Sequence, residues 1–454
     1  MITPGTAPND AQFSHIAAFV LSDPSDVPED VLRFASTLLI DTLGVAAGAV
    51  AMEPGRIARD FAVDFQAAGP GGCAAALLFD GRAAGLPGAI WALATQIDNL
   101  DGHDGYNPTK GHIGCAVVPA LMGFAAQTPD LSGRDALVAL AMSYEVAARA
   151  GIALHASASD YHTSGAWNAL GVAALGARLR GSGAAVLREA LGIAEYHGPR
   201  SQMMREIDNP TMLHDGSGMG ALVGAQALLM AERGFTGAPA ITVEAAELAH
   251  VWSDLGQDWT VVRNYIKPYP VCRWAHAALD ALRGLKRAHC FEIEDVERVT
   301  IRTFAEAAAL VMEAPRTTSE AQYSLGFAAA AVLVHDQVTA AHISGDGLRD
   351  ARVLALLPRI GAVADARHSD RFPEGRWSDV EVILRDGRVL TSGDVHARGG
   401  PEAPMEDSEV EAKFMAMTAE LAPERARAIW VMRDRLLEPD TKFSELAALV
   451  EGVP

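Results

Sequence analysis

Apolar residues recur at i, i+3 and i+4 along DVLRFASTLLIDTLGVAAGA from Asp30 and along LPGAIWALATQI from Leu86, which predicts helices there. LSGRDALVALAMSYEVAARAGIALH adds a longer one, with Ser132 placed to cap its start. Pro and Gly clusters (AAGPGG, TPDLSG, ERGFTGAPA) punctuate these segments, so the chain from about Asp30 to Leu248 reads as a succession of helices. Beyond VVRNYIKPYPVCRW the period changes. VERVTIRTF and SDVEVILRDGRVLTSG alternate with period two, and RDGR supplies a hairpin turn. Helical text (HAALDALRGLKRA, QYSLGFAAAAVLVHD) lies between these strands. After the Pro/Gly-rich HARGGPEAPMED, the chain from Ser408 returns to helix. The pattern predicts a mainly α protein: a large all-helical domain, residues 1–265 completed by 403–454, with a smaller α+β domain inserted over 266–402.

Composition supports that division and removes several function classes. At 454 residues the chain exceeds the usual limit for one hydrophobic core. Half the residues are hydrophobic and 21% charged, which excludes a disordered chain, and only 6% are aromatic, which favours closely packed helices. The net charge is −20 with no dense run of Lys or Arg, so nucleic acid is not an expected partner and an anionic ligand would need a local cationic pocket. No stretch approaches eighteen uninterrupted apolar residues, and the first Arg is Arg33, so neither a membrane span nor a signal peptide is expected. Cys73, Cys115, Cys272 and Cys290 are isolated, in keeping with reduced thiols and a cytoplasmic location.

The candidate chemistry lies in a loop and at three helix entrances. QIDNLDGHDGYNPTKGHIG, Gln96 to Gly114, concentrates titratable groups between two apolar segments. His112 precedes IGCAVVPALMGFAAQ, His162 precedes TSGAWNALGVAALGARLR, and His214 precedes DGSGMGALVGAQALLMAER. Each histidine stands where a helix rich in small residues begins, and such helices approach one another closely. Backbone N–H groups at a helix start favour anions and keep a neighbouring imidazole neutral. Any one of these histidines taken alone is more economically a cap or a solvated residue. Three of a kind beside Asp98, Asp101 and His103 point to a site, whereas Asp104 and Lys110 need no role beyond solvation. In RNYIKPYPVCRWAH, Pro268 and Pro270 stiffen the backbone around Tyr269, so that Lys267 and Arg273 can bind carboxylates, Arg273 by a bidentate fork. GSGMGA from Gly216 fits a dinucleotide fingerprint but lacks the preceding strand, so its glycines read as helix-packing residues. There is no HExxH, Cys/His quartet, EF-hand loop, Walker lysine or nucleophile elbow, so neither a metal nor a cofactor is expected.

LIDTLGVAAGA, the Gln96 loop, DYHTSGAWNALGVAA, KPYPVCRWAHAALDA and EAQYSLGFAAAAVL together resemble the MmgE/PrpD family, in family order from about residue 35 to 415. That family includes 2-methylcitrate dehydratases, cis-aconitate decarboxylase and iminodisuccinate epimerase. The resemblance implies that the inserted α+β domain is a lid, that the protein is a homodimer, and that metal-free chemistry acts on small anionic polycarboxylates. It places Asp98 and Asp101 on the family's D-x-x-D loop, with Leu100 where an Asp usually stands. His112 falls on the G-H-P-[SG] turn with Ile113 replacing the proline, His162 on the Y-H-P/T segment, and Lys267 on K-x-[YF]-P. Two departures, Thr211 or Met212 for a basic residue ahead of L-H and Phe327 for a tyrosine, imply a subfamily with a different substrate.

The expected activity is that of a lyase that removes a proton α to a carboxylate and expels a β-leaving group, or runs the reverse. Lys267, Arg273 and helix N-termini would stabilise the enediolate. His162 or His112 would be the base, with the other or His103 as acid, and Asp98 and Asp101 would orient an imidazole. Tyr269 and Tyr323 are further proton donors, and His214 a substrate contact. An epimerase, a decarboxylase and a non-catalytic ligand-binding helical dimer remain alternatives.

Overall fold

The computed structural model describes residues 9–21 and 27–453. The protein is mainly α with a small mixed sheet. Its centre is the helix Gly133–Ser157, capped by the Ser132 side chain on the Asp135 N–H at 3.0 Å. The helices Gly165–Leu179, Gly114–Ala125 and Glu29–Gly48 pack around it. Small residues set the spacing. A Cβ on Gly171 would lie 2.8 Å from the Ala147 Cβ, and the Ser143 hydroxyl donates to the Gly171 carbonyl at 2.9 Å. Backbones this close leave dry, dense contacts between the helices.

The helices Glu29–Gly48 and Gly133–Ser157 are long and apolar enough to cross a membrane by length and composition alone, which the unbroken-run criterion did not register. Both are instead largely buried inside the protein. Their polar residues do structural work there. Wholly buried Glu145 accepts from the Val261 N–H and the Thr260 hydroxyl, both at 2.9 Å, and Arg149 donates to the Asp258 carbonyl at 2.9 Å. The segment leading to Lys267 is thereby fixed to the central helix.

The N-terminal part is not all-helical. β1 (Ala74–Ala76) and β2 (Ala83–Gly85) form an antiparallel pair, turning through Gly81 in the left-handed region. Alanine-rich text carries no strand propensity, which is why the pair was not anticipated. The larger sheet consists of β3 (Val296–Thr303), β4 (Ile360–Ala364), β5 (Trp377–Leu384), β6 (Val389–Thr391) and β7 (Val395–His396). Its order is β4-β3-β5-β6, with β7 also on β5, and β3–β4 is parallel while the β5 pairings are antiparallel. β5 buries Ser378, Val380, Val382 and Leu384 in strict alternation, as its sequence predicts. β3 breaks alternation at Glu297, where its register against β5 shifts between Val296 and Arg298.

The helices Asp407–Met417 and Pro423–Arg435 pack on Glu29–Gly48. Lys413 is buried there, with its ammonium 2.7 Å from Asp41 Oδ2 and 2.7 Å from the Gly102 carbonyl. Removing one partner of a buried pair leaves the other charge uncompensated. Lys413→Met should therefore lower unfolding free energy by about 3–5 kcal/mol in urea titrations, and adding Asp41→Asn should recover part of the loss. A loss under about 1 kcal/mol, the range of exposed pairs, would show the pair to be incidental.

Candidate active site

The loop after the helix Leu86–Asp98 folds inward. Gly105 and Tyr265 exchange backbone hydrogen bonds at 3.1 and 2.8 Å, Gln322 donates to the Asn99 carbonyl at 2.8 Å, and Lys413 holds Gly102. Asp98, Asp101, His103, Asp104 and His112 are all buried as a result. Asp101 adopts φ +56°, a left-handed conformation that short polar side chains tolerate, and turns its carboxylate onto Lys267. Lys267 is wholly buried, its ammonium donating to the Asp101 carbonyl at 3.0 Å and in close contact with Asp101 Oδ1.

His112 is fixed from several sides. Its Nδ1 lies 2.7 Å from the Asp104 carbonyl, which can only accept, so Nδ1 carries the proton and Nε2 presents a lone pair. Its backbone N–H donates to Ser164 Oγ at 2.9 Å, and Asn168 donates to its carbonyl at 2.9 Å. The His103 ring stands edge-on with centroids 4.7 Å apart, and its Nε2 lies 3.6 Å from Asp98 Oδ1 and 4.0 Å from Asp101 Oδ1. His112 Nε2 faces Asp215 Oδ2 at 3.5 Å.

Two cavities flank this cluster. The inner one is walled by Asp101, His112, Asp215, Tyr265, Arg273 and Arg376, with Tyr323 beside them, and its free volume of ≈ 20 Å³ holds about one water. The wider cleft, ≈ 650 Å³, is lined by Asp98, His214, Arg205, Glu206 and apolar groups including Trp91 and Met212. His214, at φ +47°, is buried with Nε2 unpaired and its ring centroid 5.6 Å from that of Tyr323.

The structure gathers Asp98, Asp101, His103, His112, Lys267, His214, Tyr323 and Arg273, but corrects several particulars. Tyr269 faces elsewhere: its hydroxyl donates to Asp280 at 2.9 Å and its ring packs edge-on to His276. Arg273 offers no open fork, because both terminal nitrogens are already engaged with backbone carbonyls, of Arg398 and of Ala397, and its Nε is buried without a partner. His162 bridges Gln202 through its backbone, and its neighbours Tyr161 and Thr163 line the two cavities. His162 itself lines neither cavity and lies near His155. The first N–H at each helix start is taken by the protein's own groups: Asp98 Oδ2 accepts from the Ser217 N–H at 3.1 Å, Asp104 Oδ2 from the Gly114 N–H at 3.4 Å, and the Asp215 carbonyl from the Gly165 N–H at 3.0 Å. Buried N–H groups need acceptors, and these residues supply them. Asp104 is therefore a wholly buried structural group rather than a solvated one. Lys110 lies half-buried over the Tyr161 ring, 4.4 Å from its centroid.

Asp215, Ser164, Tyr265 and Arg376 were not singled out by sequence. Asp215 directly follows His214 and Ser164 lies two residues after His162, so both sit at recognised entrances. Arg376 comes from a polar turn with no local signal, and its Nε is also buried without a partner.

Burial dominates the protonation states. It pushes Asp98, Asp104 and Asp215 up to about 7, with Asp101 adding to the effect on Asp98 and Asp98 to that on Asp215. It pushes His103 down to about 4 and His214 to about 3, and holds His112 well below its ordinary value, with Lys267 reinforcing all three. It also brings Arg273 down to about 10 and keeps the Tyr265 and Tyr323 phenols protonated far into alkali. Asp98, His103 and Cys115 place one oxygen, one nitrogen and one sulfur within 4.8 Å of one another, a possible donor set for a divalent cation. The Lys267 ammonium on Asp101 already supplies the compensating positive charge beside it.

The MmgE/PrpD N-terminal domain family model matches residues 14–259, and the MmgE/PrpD C-terminal domain model matches residues 269–438. A cis-aconitate decarboxylase-like protein of Aspergillus oryzae is 23% identical over 94% of this chain and 95% of its own length.

Because His103 stays neutral when folded but binds a proton near pH 6.5 when unfolded, it costs stability as pH falls from 6.5 toward 4. The raised carboxyls act oppositely, since the folded chain retains protons that the unfolded chain has released. His103→Gln should make stability fall less, or rise more, than in the wild type over that interval, by up to one proton in slope. Urea titrations at stepped pH measure this, and parallel curves would contradict the buried neutral imidazole.

Proposed function

The chain belongs to the MmgE/PrpD family, and from that premise we propose that the buried loop is the active site of a lyase acting on a small di- or tricarboxylate. One observation carries the reading: His112, held in its Nδ1–H form with Nε2 toward Asp215, stands in the wall of a polar cavity that Arg273 and Arg376 also line. A carbon acid α to a carboxylate is weak, so the enzyme must both take the proton and stabilise the dianionic enediolate.

In this reading a substrate carboxylate sits between Arg273 and Arg376, against the pull of the chain's overall negative charge. His112 Nε2 removes the α-proton, and the carbon's electron pair passes into the enediolate. Lys267, neutralised in the resting state by Asp101, adds positive potential from behind. As the bond to the β-leaving group breaks, Tyr323 or Tyr265 donates a proton to it. Both phenols line the cavity and are kept protonated by burial. Decarboxylation is the second reading, favoured by the name of the Aspergillus relative. There the C–C bond to a carboxylate breaks and a proton is returned to carbon.

A cavity of ≈ 20 Å³ is too small for a polycarboxylate, so the arrangement corresponds to a closed state. Residues 266–402 carry Arg273 and Arg376, and we assign this segment as the lid that withdraws to admit substrate and then excludes water. The same reading makes the protein a homodimer and its chemistry metal-free. Thr211 spends its N–H and hydroxyl on Glu206, at 2.8 and 3.3 Å, so this position supplies no charge to the ligand. That supports a substrate distinct from those of members with a basic residue there.

His112→Ala should reduce turnover by a factor of 100 or more, about the scale of general-base catalysis, in protein that remains folded by circular dichroism. Wild-type rates would remove the assignment. Citrate-like, aconitate-like and amino-dicarboxylate ligands screened by thermal shift should include one that raises the melting temperature, and NMR in D₂O should then show deuterium entering α to its carboxylate. Loss of water or CO₂ in the same spectra separates lyase from epimerase.

A further inference from the structure

We propose that Asp215 gates His112: the protonated carboxyl occupies the Nε2 lone pair, and the ionised carboxyl frees it and pairs with the imidazolium that forms. This deepens the reading of His112 as base and rests on it. Asp215 acts through His112 and is a positioning residue.

The geometry leaves one place for the proton. Asp215 Oδ1 accepts from Ser164 Oγ at 3.1 Å, while the same hydroxyl oxygen accepts the His112 backbone N–H at 2.9 Å. The single Ser164 hydrogen is thereby directed at Oδ1, so Oδ2 is the oxygen left to bind a proton. On the other side Nδ1 is committed to the Asp104 carbonyl at 2.7 Å, so only Nε2 can accept. Two proton acceptors then face each other across 3.5 Å, with Asp215 only 4% exposed. One proton between them satisfies both, and a second would leave a buried cation.

The surroundings favour the carboxyl as its resting place. Asp98 and Asp101 oppose ionisation of Asp215 and Lys267 favours it, with burial outweighing all three. Lys110, Arg273 and Arg376 also line the cavity, and Tyr161, Tyr265, Tyr323 and Cys272 complete its polar wall. Burial pushes Asp215 to about 7 and His112 well down, which places the shared proton on Oδ2. As pH rises, that proton leaves to solvent and Nε2 becomes free. During turnover the substrate C–H bond breaks, its electron pair stays on the substrate, and the new Nε2–H faces an ionised Asp215.

Infrared difference spectra between about pH 6 and about pH 8, either side of the pair's titration, test this without substrate. The wild type should lose a protonated-carboxyl C=O band, and Asp215→Asn should lack one component while Asp98 and Asp104 keep theirs. With cis-aconitate as probe, the rise of kcat/KM near pH 7 should disappear in Asp215→Asn, and kcat should fall about tenfold or more with KM changed less than about threefold. Ser164→Ala keeps the carboxyl but frees Oδ1, and should shift the band's midpoint. An unchanged band in Asp215→Asn, or a persisting kinetic limb, overturns the proposal. If that variant does not fold, an unchanged midpoint in Ser164→Ala does so. If the wild type does not turn over cis-aconitate, that substrate choice fails, and the infrared result alone decides the role of Asp215.

Discussion

The wholly buried ammonium of Lys267 against Asp101 is the constraint on which the site's arrangement depends. A charge removed from water is tolerable only with a close partner and further acceptors, and Lys267 has both in the side chain and the carbonyl of one residue. Meeting it requires Asp101 to take a left-handed backbone and the whole loop to turn inward. Once inside, the loop brings His103 and His112 into a low-dielectric interior. There each imidazole is held neutral by burial, and the positive field of Lys267 adds to the effect. The same ion pair thus sets the loop's path and the protonation of its histidines.

The convergence of helix starts has a different consequence from the one expected. Three helices do begin together: the Cys115 thiol contacts the Ser217 hydroxyl at 3.1 Å, and a Cβ on Gly165 would collide with the Gly216 carbonyl. The first N–H of each, however, is taken by Asp98, Asp104 and the Asp215 carbonyl. In the proposed reading the arginines of the inner cavity hold the substrate carboxylate. Arg273 is braced by two backbone carbonyls and stacked on Tyr265 at 4.1 Å, so its orientation is fixed. That gives up the strength of a bidentate contact and gains orientation.

Much of this was legible in the sequence, for identifiable reasons. Helical periodicity located the helices Glu29–Gly48, Leu86–Asp98 and Gly133–Ser157, and period-two alternation found β3, β5 and β6, because one buried face imposes each pattern. β1, β2 and β4 escaped because short strands of alanine and glycine carry no such signature. The loop's histidines and aspartates and Lys267 stood out as a concentration of titratable groups. Direction did not. That Tyr161 rather than His162 lines the inner cavity has no sequence signal, and whether Tyr269 turns to Asp280 depends on a helix that follows it. Arg376 reaches the cavity from more than a hundred residues beyond Lys267, through a fold no local pattern encodes.

The Lys413 ammonium bonded to the Gly102 carbonyl links residues 311 positions apart. On a ribosome the loop is complete long before the helix that supplies its anchor has emerged. Until then the nascent chain carries Asp41 and the Gly102 carbonyl with their eventual partner still untranslated. The site is thus braced only after the Asp407–Met417 helix has been made, and a chain halted before it would keep every loop histidine yet lack the anchor that holds them in register.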